Sequence, residues 1–391
     1  MSICNMINIT DKKKCCGCSA CVEVCPKHCI KFKEDEQGFR YPVVEQKDCI
    51  NCGLCEKVCP FLNQNNPQKP LKVYSGINPN GKIRLRSSSG GVFTMIAEAI
   101  INKGGIVFGA RFNNNWEVIH DYTDNRDGLK AFRGSKYVQS EIGDCYKQVK
   151  TFLEKDKIVL FSGTGCQIAG LKKFLRKDFD NLYTVEVVCH GVPSPLVWEE
   201  YLNEIEPKRK SISNVEFRNK ADGWKYFKIK IDTINDVNKK VTALNESVWD
   251  NKYMRSFLLN FCLRPSCTNC PAKSGKSRSD FAIADFWGIY ASKSITDDDK
   301  GVSLILCYTD KALALIPDNL IKTEISYSEA LNGNRVIEQP VKFHKNYKKF
   351  WKLFSESKLT NIDSLIAKKS TPFIIKVKNK IICEISKLMK K

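Results

Sequence analysis

Two cysteine clusters with the same spacing lie near the start of the chain, and they limit its fold more than any other feature. Each has the pattern Cys-x2-Cys-x2-Cys-x3-Cys-Pro, and the second follows the first by 34 positions. The eight cysteines are Cys15, Cys18, Cys21, Cys25, Cys49, Cys52, Cys55 and Cys59. Such tight spacing, in a chain of 391 residues without a secretion signal, favours metal ligation over disulfide bonds.

The repeated spacing is that of bacterial two-cluster ferredoxins. Three cysteines on one tight loop can occupy three corners of an Fe4S4 cube, and the Cys-Pro turn carries the fourth towards the other cube. We therefore expect Cys59 to complete the first quartet, with Cys15, Cys18 and Cys21. Cys25 would complete the second, with Cys49, Cys52 and Cys55. A zinc ribbon is the alternative, but zinc takes four ligands in two pairs. The neighbouring Cys16 competes with Cys15, and the spacing favours Cys15.

Charge and hydropathy restrict the partners and the compartment. The formal net charge is +20, which suits nucleic acid, anionic lipid or an acidic redox protein. The lysines are spread along the whole chain and are not interleaved with aromatic residues, so we expect no nucleic acid. No secretion signal and no run of roughly 18 apolar residues is present, which predicts a cytoplasmic protein.

The middle of the chain predicts a parallel βαβ unit. An apolar run at 158–162 precedes a helical pattern with Ile168, Leu171, Phe174 and Leu175 on one face, and a second β-rich run covers 182–188. Strand, helix and strand in about 30 residues indicate a right-handed crossover. The predicted fold class is therefore α+β or α/β, with a small ferredoxin-like domain before a larger α/β domain.

Cysteines follow both strands of this unit, Cys166 after the first and Cys189 after the second. Ligands of open parallel sheets bind beyond the carboxyl ends of the strands. A further C-x2-C pair, Cys267 and Cys270, brings the number of thiols to four, which suits a third Fe4S4 cluster. Cys262 is the nearest competitor. We interpret it, with Cys145, Cys307 and Cys383, as a structural thiol.

Two polar, glycine-containing turns are candidates for binding the phosphates of a cofactor. Ser87, Ser88, Ser89, Gly90 and Gly91 precede a helix predicted at 92–102, where free backbone N–H groups and the helix dipole favour an anion. An ordinary serine-capped helix start explains this motif equally well. The second turn contains Gly134, Ser135 and Lys136, although a single lysine is more often solvated.

Three further acidic and basic side chains are candidates for catalysis. Asp280 and Asp285 lie in and beside a predicted strand and could position a ring or a proton, while capping of the strand end is the simpler interpretation. His190 follows Cys189 and could donate a proton, or it could hydrogen-bond near the cluster and tune it. A C-terminal helix predicted at 373–391 has apolar residues on one face and many lysines elsewhere. This basic amphipathic pattern allows peripheral membrane contact, although such helices more often pack on protein.

The composition changes along the chain define the expected organisation. A ferredoxin domain spans 1–64, and a linker rich in Asn and Pro spans 65–72. The larger domain has an N-terminal part at 73–150 and a C-terminal part at 151–345, and a basic helical tail covers 346–391.

Residues 70 to about 345 resemble the beta-subunit family of coenzyme F420 hydrogenases and dehydrogenases. The matching runs are SSSGGVF, GSKYVQS, FSGTGCQIAGLKKFL, VCHGVPSP, LRPSCTNC and SDFAIADFWG. The resemblance implies one FAD beside one Fe4S4 cluster, supports Cys166, Cys189, Cys267 and Cys270 as ligands, and favours the phosphate-binding interpretation of the two turns. Gly165 stands where the family commonly has proline, which alters the turn before Cys166.

The predicted function is that of an iron–sulfur flavoprotein oxidoreductase. Clusters pass single electrons, whereas a flavin holds one or two and converts them to hydride chemistry. Its partner would be a redox protein or a small hydride donor or acceptor, in a chain able to form a homo-oligomer. The resemblance leaves the substrate open, as the deazaflavin coenzyme or another acceptor, and allows a role in surface-polysaccharide metabolism. A non-catalytic electron-transfer subunit and a scaffold protein with structural clusters are the alternatives.

Overall fold

The computed structural model describes residues 6–207, 209–292 and 295–366. The predicted C-terminal helix at 373–391 lies outside these residues. Among the residues that are described, no helix combines the length and the apolar character needed to cross a bilayer.

The N-terminal module is built on one β-hairpin and two short helices. Strands β1 (Ile30–Glu34) and β2 (Arg40–Val44) pair antiparallel. Asp35 closes the turn between them, because its Oδ1 accepts hydrogen bonds from the backbone N–H groups of Gln37 and Phe39. Helices α1 (Ala20–Glu23) and α2 (Leu54–Lys57) follow the two cysteine loops.

An eight-stranded mixed sheet forms the centre of the part of the chain that is described. Its order is β13-β3-β12-β11-β7-β6-β4-β5, and the pairs β4–β6, β6–β7 and β7–β11 are parallel. The strands are β3 Lys72–Ile77, β4 Ile106–Phe112, β5 Val118–Thr123, β6 Val159–Thr164, β7 Leu182–Val187, β11 Phe281–Asp285, β12 Ser303–Cys307 and β13 Ile321–Glu324. The predicted α/β class is confirmed. Strands β3 and β4 pair with strands from beyond residue 150, so the predicted N-terminal and C-terminal parts of the larger domain share one sheet.

Antiparallel strands β8 (Ile212–Asn219), β9 (Lys228–Ile234) and β10 (Lys240–Ser247) form a second sheet of three strands. The remaining helices are α3 Gly81–Leu85, α4 Val92–Ile101, α5 Leu129–Phe132, α6 Cys145–Glu154, α7 Gly165–Leu175, α8 Pro195–Ile205, α9 Lys252–Leu258, α10 Asp310–Leu315, α11 Tyr327–Leu331, α12 Tyr347–Ser357 and α13 Asp363–Ile366. The start of the predicted basic tail is thus helical, and Phe350, Trp351 and Phe354 of α12 are buried in the core.

The predicted βαβ unit is β6–α7–β7. Thr164 and Gln167 form a capping box at the start of α7, with Thr164 N–H donating to Gln167 Oε1 at 2.9 Å. Alternate residues of β6 enter different cores, since Leu160 packs with α4 and α10 on one face and Phe161 packs with α6 and α7 on the other. The N-terminal module packs on the α7 face, where Cys18 and Ala20 join the same core.

The close contact between Gly288 and the turn after α11 gives a prediction about stability. A Cβ at Gly288 would lie 1.9 Å from the carbonyl oxygen of Asn332, a backbone atom that cannot rotate away. We expect Gly288→Ala to lower the free energy of unfolding by about 1–3 kcal/mol in urea denaturation. The matched control is Gly81→Ala, whose Cβ would meet no atom within 4 Å. Equal stability of the two variants would contradict this packing.

Candidate functional site

The first three cysteines of the first motif and the fourth cysteine of the second motif line a single cavity. Cys15, Cys18, Cys21 and Cys59 surround it, together with Cys16 and apolar side chains of the module. About 340 Å³ of this cavity is not filled by protein atoms. We call these four residues quartet I.

The second cavity has the same size and the complementary set of cysteines. Its lining includes Cys25, Cys49, Cys52 and Cys55, which we call quartet II, and the space not filled by protein atoms, open solvent included, is again about 340 Å³. The extra Cys29 also lines it, with its Sγ 3.4 Å from that of Cys25. The fourth cysteine of each motif therefore faces the cavity formed by the other motif.

The two loops repeat in backbone conformation as well as in sequence. Left-handed residues stand two and four positions after the first cysteine of each motif, Gly17 (φ 67°) and Ser19 (φ 68°) in one, Asn51 (φ 53°) and Gly53 (φ 69°) in the other. Such residues turn the chain sharply. They let three thiols of one short loop converge.

Four cysteines of the larger domain form a third group at the carboxyl edge of the sheet. They are Cys166, Cys189, Cys267 and Cys270, and we call them quartet III. Cys166 begins α7 after β6, Cys189 follows β7, and the other two come from the 3-10 helix Pro265–Asn269 and its C-cap. Val192 N–H donates to Cys267 Sγ at 3.4 Å, and the Pro193–Leu263 bridge joins the two segments.

Burial makes most of these thiols difficult to ionise. It raises the pKa of Cys59 to about 11, of Cys270 to about 11 and of Cys267 to about 12. Buried thiolates need a compensating positive charge, which an iron–sulfur core provides. The donor sets therefore fit such a group. Among the residues described, no three Cys, His, Asp or Glu side chains are placed to hold a single metal ion.

The remaining described cysteines of the larger domain are buried away from the quartets. Cys145 lies in the same core as Ile142 and Tyr146, Cys262 lies in the core with Phe261, and Cys307 is in β12. Cys383 lies outside the described residues.

A large basic cleft lies between the two glycine-containing turns and β8. Its volume is about 1000 Å³. Glu216 is the one carboxylate in its described lining. The basic residues that line it are Arg86, Lys130, Arg133, Lys136, Arg209, Lys210, Arg218, Lys220 and Lys240.

The structure brings part of each predicted phosphate-binding turn into this cleft. Ser87, Ser88, Gly134, Ser135 and Lys136 line it. The Ser88 hydroxyl joins the turns, since its Oγ accepts the Ser135 N–H at 2.7 Å and lies 2.8 Å from Ser135 Oγ.

The rest of the first turn packs inwards. Ser89 Oγ donates to the Val302 carbonyl at 2.7 Å, and Gly90 N–H donates to Ser303 Oγ at 3.0 Å. Gly91 caps α4 in a left-handed conformation. Ser89, Gly90 and Gly91 therefore support the wall of the cleft.

Asp285, a candidate catalytic residue, is engaged in a buried ion pair. Arg218 donates to both of its carboxylate oxygens, at 2.8 and 3.0 Å, and Trp224 Nε1 donates at 2.8 Å. Trp224 stacks on Trp287 at 4.9 Å. Asp285 thus positions Arg218 at the cleft. Sequence reasoning missed Arg218, because alternation in β8 places it with the polar residues Asn214 and Glu216 and gives no signal for burial.

Asp280 is a structural carboxylate. It is fully buried and accepts hydrogen bonds from the Thr184 N–H, the Thr184 hydroxyl and the Thr309 hydroxyl.

His190 begins a line of contacts from quartet III to the cleft. Its Nε2 lies 2.6 Å from Asn260 Oδ1, and burial lowers its pKa. The edge of its ring meets Phe257, which stacks on Tyr137 at 4.9 Å. The Tyr137 hydroxyl accepts a hydrogen bond from Arg218 at 3.1 Å, and Arg218 also reaches the Ser88 carbonyl.

Two known protein families match the chain at these sites. Residues 14–63, with all of quartets I and II, match the 4Fe-4S dicluster domain. Residues 156–331, with all of quartet III, match the family described as the C terminus of the coenzyme F420 hydrogenase/dehydrogenase beta subunit. The chain combines these two families. The matches indicate an iron–sulfur, oxidoreductase-like chain that is similar to the F420 hydrogenase/dehydrogenase beta subunit over 156–331, slightly less than half of its length.

Other comparisons are more distant. No curated protein matches the chain. Among solved structures, the chain is similar to one from the F420-reducing [NiFe] hydrogenase complex of Methanosarcina barkeri, at 14% identity and a TM-score of 0.45, over 77% of this chain and 94% of that one. The two glycine-containing turns lie outside the residues that match either family.

The Arg218–Asp285 pair gives a second prediction. Arg218 is nearly inaccessible, so Asp285→Ala leaves a buried cation without its partner. We expect this variant to lose about 3–5 kcal/mol of unfolding free energy, and the double variant Arg218→Met/Asp285→Leu to recover most of it. The control is Glu324→Ala, which removes the exposed ion pair with Lys72. A loss no larger than that of the control would argue against the buried pair.

Proposed function

We propose that the chain is an oxidoreductase that moves electrons between three [4Fe-4S] clusters and FAD. Quartets I, II and III would each hold one cluster, and the basic cleft would hold the FAD. One observation carries this proposal. The twelve cysteines separate into three groups of four, and contacts through His190, Phe257 and Tyr137 lead from the third group to the cleft.

The chemistry of the cleft supports an anionic cofactor of nucleotide size. Its basic side chains supply positive charge for a pyrophosphate, and its volume exceeds that of most small-molecule pockets. Ser88 and Ser135 offer hydroxyl donors at the junction of the turns. Bound FAD would supply the exchange between single electrons and hydride, while Arg218 would orient it and carry positive charge beside it.

The surface position of quartet II supports exchange with an external one-electron partner. Cys52 is exposed, and the neighbouring Ile50 is 57% exposed. Electrons would pass between a redox protein and this side of the module. The alternative, a non-catalytic subunit that feeds a partner enzyme, uses the same exposed side. A purified chain that reduces its flavin with a small hydride donor would exclude that alternative.

Cluster content gives the third prediction. We expect about twelve iron atoms and as many acid-labile sulfides per chain after anaerobic reconstitution, with one FAD released on denaturation. Iron near four per chain would remove at least one cluster assignment. Without a released flavin, the FAD assignment fails.

The crossing of the fourth cysteines can be tested within the same assay. Cys25→Ala should remove the cluster of quartet II, and Cys59→Ala that of quartet I, each with a loss of about four iron atoms. Electron paramagnetic resonance identifies the missing cluster by comparison with Cys52→Ala, which affects quartet II alone. Matching spectra for Cys25→Ala and Cys52→Ala support the crossing, whereas a match between Cys59→Ala and Cys52→Ala contradicts it.

Lys136 gives the fourth prediction, a pH dependence of anion binding. Burial lowers the pKa of Lys136 to about 7, from the ordinary 10.5. As the pH falls from 8 to 6, its protonated fraction rises from about a tenth to about nine-tenths, so ADP should bind up to about tenfold more tightly.

Calorimetry with flavin-free protein would measure this change. Lys136→Met should reduce the pH-dependent part of the affinity, and the remainder would come from Lys220, whose pKa burial also lowers to about 7 in the same cleft. Lys130→Met is the control, because Lys130 lines the same cleft, is exposed and pairs with Asp127. An unchanged pH dependence in Lys136→Met would contradict this role for Lys136.

A further inference from the structure

The contact between the N-terminal module and quartet III is made by residues that belong to no quartet. Cys16 is 7% exposed and lines the cavity of quartet I beside Cys18. It also shares one core with Cys18, a member of quartet I, and Cys166, a member of quartet III. One buried thiol that belongs to no quartet therefore lies in the core where the two groups meet.

A second bridge runs through Arg264, which is 1% exposed. Its Nε donates to the Cys15 carbonyl at 2.8 Å, and one terminal nitrogen lies 3.6 Å from Cys15 Sγ. On the other side, the Arg264 carbonyl accepts the N–H of Cys267 at 3.0 Å. Arg264 thus also connects a member of quartet I with a member of quartet III.

A neighbouring amide holds the two bridges together. Gln139 Oε1 accepts a hydrogen bond from Arg264 at 3.0 Å, and Gln139 Nε2 donates to the Cys16 carbonyl at 3.2 Å. Gly17 lies between these groups, and a Cβ there would approach Gln139 and Arg264 within 2.9 Å. A side chain at Gly17 would displace the ends of Gln139 and Arg264, and its left-handed backbone (φ 67°) also favours glycine.

We propose that Cys16 and Arg264 form the electron-transfer junction between quartets I and III, with quartet II on the outer side. This inference rests on the proposed function. One electron leaves the reduced group held by quartet I and enters the oxidised group held by quartet III, so no bond breaks and no proton is required. Reduction of the group at quartet II by an external one-electron donor supplies the electron. In the reverse direction, the same path carries electrons from quartet III to an external one-electron acceptor.

The two residues have different roles at this junction. The large, polarizable sulfur of Cys16 packs in the core shared by Cys18 and Cys166. Electron tunnelling weakens steeply when a gap opens along its path. The Arg264 cation lies beside Cys15 and stabilises the more negative, reduced state of the group bound there. Cys16 thus sets mainly the rate, and Arg264 mainly the potential.

The test uses the full, reconstituted chain and the variants Cys16→Ala, Cys16→Ser, Arg264→Gln and Arg264→Lys. A flash-generated methyl viologen radical serves as the electron donor, and freeze-quench electron paramagnetic resonance follows the electron from one group to the next. The matched control is Cys145→Ala, which removes a buried thiol that belongs to no quartet from the same core.

For Cys16 we expect unchanged iron content and transfer between quartets I and III slowed by about tenfold or more in Cys16→Ala, equal to about 1.4 kcal/mol of activation free energy. Cys16→Ser should recover part of the rate, and Cys145→Ala should match the unsubstituted protein. Loss of about four iron atoms in Cys16→Ala would make Cys16 a ligand and overturn the proposal.

For Arg264 we expect Arg264→Gln to lower the reduction potential of the group at quartet I by about 59 mV, a tenfold change in the equilibrium constant of a one-electron step. Arg264→Lys keeps the charge and should shift the potential less, which also covers the case in which Arg264→Gln does not fold. Equal potentials in the unsubstituted protein and both variants would overturn the role of Arg264.

The outcome also separates this inference from the proposed function. About twelve iron atoms with unchanged transfer rates in Cys16→Ala would overturn the junction and leave the three clusters in place. Iron near eight in the unsubstituted protein, with no signal from quartet III, would overturn both.

Discussion

The buried Arg264 cation has no carboxylate partner within the described chain, and this constraint organises the centre of the molecule. Its hydrogen bonds go to the carbonyls of Cys15 and Arg40 and to the Gln139 amide oxygen, and its guanidinium lies 4.4 Å from the Tyr41 ring. A cation taken out of water needs negative charge nearby. Cys15 of quartet I and Cys267 of quartet III are among its electrostatic neighbours, so the arginine and an ionised sulfur would stabilise each other. The module and the larger domain are in contact at this arginine, which donates hydrogen bonds to Cys15 and Arg40 of the module.

The parts of this arrangement that depend on local spacing could be predicted from the sequence. Short loops with fixed cysteine intervals and alternating apolar residues determine their own geometry, so the sets of cysteines that line the two module cavities follow from the spacing, as does the unit β6–α7–β7. Contacts between distant segments could not be predicted. Cys16 and Arg264 are 248 positions apart in the chain, and no periodicity indicates that both reach quartet I.

The full lining of the basic cleft also could not be predicted from the sequence. The run Ser87–Gly91 predicts a helix start rich in backbone donors, but it does not determine which groups remain free. Strand β12 lies close to this run. The hydroxyl of its Ser303 accepts a hydrogen bond from the Gly90 N–H, and the Ser89 hydroxyl donates to the carbonyl of the preceding residue, Val302. The opposite wall comes from β8, about 130 residues later, where Arg218 is held by Asp285. Tertiary packing, rather than the motif, decides which side chains face a ligand.

The segment between the module and the sheet has a mechanical consequence. Asn65 donates to the Lys276 carbonyl, Gln68 to the Ser274 and Tyr308 carbonyls, and β3 then enters the sheet between β12 and β13. A segment pinned in this way cannot act as a swinging tether. The module is a fixed head, unlike a mobile carrier domain that visits successive docking sites, and its geometry relative to the sheet is set when the chain folds.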